Sequence, residues 1–284
     1  MDKKYTLGLY EKAMPKNLEI EEKLELTRLS GFDYMEISID ESDDKMSRIF
    51  LPYKEKIEFA KASINTGVRI NSMCLSGHRK YPLGSHDKLT REKSLDIMKR
   101  ALEFAQITGI RIIQLAGYDV YYEDSDEVSK DYFAENLARC TEMAASYGVI
   151  MGFETMETSF MDTVEKAMKY VKLIDSPYLG VYPDIGNLQN AAVLYNKDIL
   201  DDIKKGQSHI FASHLKETKP GIYRDMHFGQ ADGHTQYIPC IKQLYKQGVR
   251  IFTGEFWDKG EENYKEILTS SSTFLRSKIE EAIK

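Results

Sequence analysis

Short apolar runs recur along the chain, and each is followed by a longer stretch whose apolar positions return every three or four residues. The first run spans residues 5–10. A helix with its N-cap at Asn17 follows to Leu29, and Gly31 is its stop signal. Residues 33–39 alternate Tyr34, Glu36 and Ser38 with Met35, Ile37 and Ile39, the pattern of a second strand. Pro52 opens a helix that ends near Gly67, and 68–75 is the third strand. Thr90 opens a long helix closed by Gly109, ahead of a fourth strand at 110–115. The next helix carries Ala134, Leu137, Ala138 and Met143 on its apolar positions and ends at Gly148. Four further strands lie at 149–154, 179–184, 210–214 and 249–255. Of the helices after them, the first is capped by Asp162, the second runs to about Lys205, the third ends at Gly248 and the last closes the chain at Lys284. Strict alternation of strand and helix, with no linker or low-complexity segment, requires a parallel sheet. Eight such units predict an α/β fold of one (β/α)8 TIM barrel over residues 1–284.

The last four strands all end on a polar side chain: Glu154, Asp184, His214 and Glu255. A carboxylate at the end of a strand buried on both faces is costly unless it is exposed, paired or bound to a metal. Parity places all four on one face of their strands. Ile150 and Gly152 share it with Glu154, Gly180 and Tyr182 with Asp184, Ile210 and Ala212 with His214, and Ile251 and Thr253 with Glu255. The opposite face, with Phe153, Val181, Phe211 and Phe252, suits packing on the outer helices. The four lie 30, 30 and 41 residues apart, about one unit each, so they stand on neighbouring strands. In such barrels the C-terminal strand ends carry the chemistry. Two Glu, one Asp and one His are hard and borderline donors for one divalent ion, Mn²⁺, Zn²⁺, Co²⁺ or Mg²⁺, among which mixed O/N ligation does not choose.

Composition narrows the partners. An apolar content of 42% is ample for a core of this size, and the formal charge of −6 argues against a nucleic-acid partner. No run of about 18 apolar residues is present, so no membrane span is expected. Met1-Asp2-Lys3-Lys4 leads straight into the first strand without an apolar leader, and Cys74, Cys140 and Cys240 form no Cys-x-x-Cys pair. Reduced thiols in a cytoplasmic protein are the simplest reading.

The ligand pattern resembles the xylose isomerase-like barrels, whose metal ligands are Glu, Asp, His and Glu on strands five to eight, and the resemblance covers the whole chain. Three segments resemble the L-ribulose-5-phosphate 3-epimerases, also called L-xylulose-5-phosphate 3-epimerases, of L-ascorbate and pentulose catabolism. They are Leu7-Gly8-Leu9-Tyr10-Glu11-Lys12-Ala13, Ser76-Gly77-His78-Arg79-Lys80-Tyr81-Pro82-Leu83-Gly84-Ser85 and His214-Leu215-Lys216-Glu217-Thr218-Lys219-Pro220-Gly221. The resemblance implies an isomerase that epimerises C3 of a ketopentose 5-phosphate. A divalent cation holding O2 and O3 would polarise the carbonyl and stabilise a cis-enediolate. Glu154 and Glu255 would then be both ligands and the acid/base pair, while Asp184 and His214 hold the metal. A hexulose-6-phosphate isomerase is the alternative on the same barrel, because C1–C2 isomerisation uses similar parts and moves the proton on one face. The implied partner is a small phosphorylated ketose, and a homodimer is compatible with the resemblance.

At the same end of the barrel, His78, Arg79, Lys216, Lys219, Arg224 and His227 are candidates for substrate contact. His209 is separated from His214 by an odd count, which puts it on the other face, and His86 and His234 read as surface loop residues. Related epimerases of free ketoses carry a His where this chain has Asn187 and an Arg where it has Pro220. These departures point to a differently handled sugar tail, and a phosphate is one explanation. Asp225-Met226-His227 also resembles endonuclease IV, a zinc nuclease on this barrel. That enzyme needs further histidines on earlier strands, and strand four here ends Gln114-Leu115-Ala116-Gly117.

Overall fold

Eight parallel strands form the inner wall of the computed structural model, which describes residues 4–224 and 226–284. Asp225, part of the Asp-x-His reading, and residues 1–3 lie outside the described residues. The strands are β1 (Thr6–Tyr10), β2 (Tyr34–Ile39), β3 (Arg69–Leu75), β4 (Ile112–Leu115), β5 (Ile150–Phe153), β6 (Leu179–Val181), β7 (Ser213–Leu215) and β8 (Ile251–Gly254). Around them run α1 (Ile20–Leu29), α2 (Asp43–Ser47), α3 (Tyr53–Thr66), α4 (Lys88–Thr108), α5 (Glu127–Tyr147), α6 (Val164–Ile174), α7 (Ile185–Tyr195), α8 (Ile199–Lys205), α9 (Tyr237–Lys246) and α10 (Tyr264–Ala282). Each strand pairs with its sequence neighbours, and β1 pairs with β8, as an eight-unit barrel requires. Among the described residues no helix is long and apolar enough to cross a membrane.

Helix ends follow their caps. Gly109 and Gly148 stop α4 and α5 in the left-handed region, at φ 80° and 66°. The starts differ from the expected residues because other side chains satisfy the first N–H groups. Glu19, not Asn17, caps α1 in a reciprocal box with Glu22. Asp87 caps α4 by accepting from the Thr90 N–H. Thr163 caps α6, while Asp162 is taken by Lys166 and Tyr195. The helix expected to run to Lys205 is two, α7 and α8, separated where Asn196 turns left-handed at φ 49°. The short α2 is an addition to the expected set.

The seam between β6 and β7 closes the barrel. It rests on two isolated bridges, Val181 with Ile210 and Asp184 with His214. That is three steps along one strand against four along the other, so β7 carries one extra residue below its mouth. The bulge corrects the expected parity. Ile210 does not share the face of His214: it belongs to the layer between sheet and helices, close to Gly206 and Val164. Phe211, expected outside, packs instead against the inner group of Ile112, Tyr182 and Ala212. Phe153, Val181 and Phe252 do pack in the outer layer.

Gly180 makes this seam possible. A Cβ there would stand 2.4 Å from the His209 carbonyl oxygen and 2.5 Å from the Phe211 ring. The carbonyl is backbone and cannot step aside. Gly180→Ala is therefore expected to cost about 1–3 kcal/mol, the range for overpacking. Urea unfolding midpoints of the two proteins measure it, and an unchanged midpoint contradicts the tight seam.

Candidate metal centre and active site

The strand ends deliver the four expected side chains to one point. Glu154 and Glu255 stand one residue beyond β5 and β8. The neighbouring strand holds each in place: the Glu154 N–H donates to Leu115 O (2.8 Å) and the Glu255 N–H to Leu215 O (2.9 Å). Asp184 is the N-cap of α7, with Oδ1 accepting from the Asn187 N–H at 2.8 Å, which leaves Oδ2 for the centre. Asn187 also donates from its amide to Thr155 O (2.8 Å), tying the end of β5 to α7. Glu154, Asp184, His214 and Glu255 each offer one donor atom, and these atoms lie within 4.8 Å of one another with all four residues buried. His214 Nδ1 is 3.1 Å from Glu255, 3.7 Å from Glu154 and 3.9 Å from Asp184.

A fifth polar side chain fixes the histidine. Glu36, fully buried on β2, meets His214 Nε2 with Oε1 at 2.5 Å. Its Oε2 accepts from Ser72 (2.6 Å) and Tyr182 (2.9 Å). Tyr182 and Tyr34 both bond Thr253, at 2.6 and 2.7 Å, so a polar network fills the barrel axis below the centre. With Nε2 occupied, Nδ1 is left facing the carboxylates. Sequence reading singled out the strand-end set and passed over Glu36. Its signal was the polar parity Tyr34, Glu36, Ser38 in a strand that is buried throughout.

Four buried carboxylates, Glu36, Glu154, Asp184 and Glu255, face two groups able to carry positive charge, His214 and Lys216. The Lys216 ammonium is 2.9 Å from Asp184 and 3.1 Å from Glu255. Burial, with Glu255 adding to it, pushes the Glu154 carboxyl up. Burial pushes Asp184 up to about 8 against the pull of Lys216. On Glu255 burial is outweighed by Lys216 and then His214, which hold it well below the carboxylate range. On His214 burial is outweighed by Glu36 and Glu255, which hold it well above its ordinary value. Asp184 Oδ2 is buried and has the Lys216 ammonium as its partner. An excess of buried carboxylates and an O/N donor set within 4.8 Å fit a divalent cation.

Of the candidates for substrate contact, Arg79, Lys216 and Arg224 line the cavity over this centre, with Lys12, Tyr223 and Trp257. His78, Lys219 and His227 do not. Lys219 pairs with Asp232 at 2.9 Å and His227 with Glu261 at 2.7 Å. His78 turns away because its backbone lies in a 3-10 turn (Ser76–Arg79), and its Nε2 donates to Ser94 O at 3.2 Å. The cavity encloses about 50 Å³, room for a water or two.

Two expectations follow from this arrangement. Glu36→Gln removes the charge behind His214 and should weaken metal binding about 10–100-fold, the usual loss for such a partner. Competition with a chelator reads it, and unchanged affinity removes Glu36 from that role. His78 sets an acid limit on stability. Burial lowers its pKa from 6.5 to about 4, so the unfolded chain takes the proton first. The His78 contribution is full above about pH 6.5 and falls by up to about 3 kcal/mol as the pH drops to about 4. In His78→Gln, which keeps an N–H for Ser94 O, the decline of unfolding free energy over that window should flatten.

The model of one family, described as xylose isomerase-like TIM barrel, matches residues 24–278. A protein of Escherichia coli strain K12 with the provisional name L-ribulose-5-phosphate 3-epimerase SgbU is 40% identical over 286 residues, covering 98% of each chain. L-ribulose-5-phosphate 3-epimerase UlaE of Escherichia coli O8 strain IAI1 is 36% identical over 283 residues, covering 99% of this chain and 98% of its own. Among solved structures, D-psicose 3-epimerase with D-tagatose from Clostridium cellulolyticum H10 superposes with a TM-score of 0.79 at 16% identity, over 96% of this chain and 99% of the other.

Proposed function

Because the chain belongs to the xylose isomerase-like TIM barrel family, we propose that it is a metal-dependent epimerase. Its substrate is a ketopentose 5-phosphate, interconverted at C3 between the L-ribulose and L-xylulose forms. The observation that carries the reading is the convergence of Glu154, Asp184, His214 and Glu255 within 4.8 Å at the mouth of the barrel. The full-length likeness to relatives named as 3-epimerases supports the choice of reaction. A divalent cation held by these four residues supplies Lewis-acid polarisation of the ketose carbonyl.

The protein's own groups do the rest. Epimerisation needs a base on one face of C3 and an acid on the other. Glu154 and Glu255 reach the centre from β5 and β8, on either side of the strand ends that carry Asp184 and His214. One takes the proton from C3 and the other returns one to the opposite face, with the roles exchanged in the reverse direction. Lys216 places a positive charge beside Glu255 and Asp184, where it would stabilise the negative charge that develops as the proton leaves. Arg79 and Arg224 hold the sugar away from the reacting carbon. Arg79 is seated on Tyr121 (4.8 Å) and Arg224 on Trp257 (5.9 Å), so both are positioned side chains at the rim.

The test is proton exchange in D₂O. Glu154→Gln and Glu255→Gln each keep an oxygen for the metal and remove a proton carrier. Epimerisation should fall by roughly 10²–10⁴ in both directions. Each variant should retain exchange of the C3 proton in one epimer only, and a different one in each. Metal content is measured alongside, because a lost ligand imitates a lost base. Two metal-loaded variants that exchange the same epimer, or one that turns over at the wild-type rate, would defeat the two-glutamate assignment.

A further inference from the structure

A second buried charge cluster lies beside the catalytic one and carries the opposite excess. Glu11, in the 3-10 turn Glu11–Ala13 after β1, is fully buried. Its Oε2 accepts from Arg48 (2.8 Å) and from the Ser38 N–H (2.9 Å). Its Oε1 is shared by two ammonium groups, Lys23 at 2.9 Å and Lys45. One carboxylate thus faces three cations, whose side chains are 2%, 9% and 15% exposed for Lys23, Lys45 and Arg48. Among the described residues none of the three has a second acidic partner. Each ammonium has three N–H donors and spends one on Glu11, so two per lysine have no protein acceptor among the described residues. Two unbalanced buried charges and unsatisfied donors are expensive unless something compensates them.

Both lysines and Glu11 line a cavity of about 670 Å³ between the β1–α1 and β8–α10 loops. Lys12 and Trp257 line this cavity and the catalytic one alike, so the two share a wall. The carboxylates on its other side, Asp258, Glu261 and Glu262, are not buried and are screened by water, and Glu261 is engaged by His227. The geometry points to a binding site for a phosphate-class dianion on Lys23 and Lys45: its charge of about −2 near pH 7 matches the excess, and its oxygens match the spare donors.

The probe is inorganic phosphate, titrated calorimetrically into the full-length, metal-loaded protein. No turnover is needed, so failure of the catalytic reading leaves this test intact. The wild type should bind one phosphate saturably, and Lys45→Met, which keeps the apolar stem, should bind it at least tenfold more weakly with metal content unchanged. Glu11→Gln moves the other way. It leaves three cations without their counter-charge, so added phosphate should raise its melting temperature more than that of the wild type, and should raise that of Lys45→Met less. This ordering holds even where a variant is destabilised, and a purely structural ion cluster does not produce it. The source of the anion is read in turnover. Competition between phosphate and a ketopentose 5-phosphate, with a raised KM and unchanged kcat in Lys45→Met, assigns the site to the substrate's own phosphoryl end. A non-competitive effect of phosphate assigns it to a free anion. Absent saturable binding to the wild type, or equal binding and equal thermal shifts in all three proteins, overturns the proposal.

Discussion

Mutual repulsion among carboxylates buried close together is the constraint on which this structure turns. Glu154, Asp184 and Glu255 meet at the mouth of the barrel, and Glu36 is buried just below them behind His214. The fold answers each in a different way. Asp184 gives one oxygen to the first turn of α7, Glu36 is satisfied by Ser72, Tyr182 and His214, and Glu255 is drawn to Lys216. Glu154 receives the least help and is the one pushed upward together with Asp184. The centre is therefore organised as a receptor for positive charge before any ion reaches it.

The cluster around Glu11 is the counterpart of opposite sign. Glu11, Glu154 and Glu255 each stand just beyond a strand end, where the chain leaves the sheet. Lys12 and Trp257 separate them, and the Asp258 N–H donates to Lys12 O at 2.8 Å, which fastens the two loops of the wall together. Two cavities thus lie side by side across one wall, one over the carboxylates of the centre and the other over Lys23 and Lys45.

The barrel and its four strand-end donors were legible because both are periodic. Strand and helix alternate at a near-constant unit length, and a polar residue closes each of the last four apolar runs. What stayed hidden depends on contacts that sequence spacing does not encode. Glu36 acts through His214, 178 positions away, and could be read only from the polar parity of β2. Lys23 reads as a helix-surface residue by pattern, and Lys45 and Arg48 lie in and just after α2, which the pattern does not predict; the fold brings all three to Glu11. His78 follows strand three as a substrate contact would, yet a single turn of 3-10 helix rotates its ring towards α4. Helix starts moved by a few residues because several side chains in a row were competent caps.

The extra residue in β7 changes what fills the barrel axis below the centre, not the register of the centre. Between the bridges at Ile210 and His214 the chain counts three residues, Phe211, Ala212 and Ser213, where its neighbour counts two. Each of those three side chains is replaceable by a similar one at modest cost. Deleting one of them would match the three steps of β6 and leave His214 opposite Asp184. What the extra residue adds is two inward side chains in succession, Phe211 beside Ala212, which fill the barrel axis against Tyr182 and Ile112.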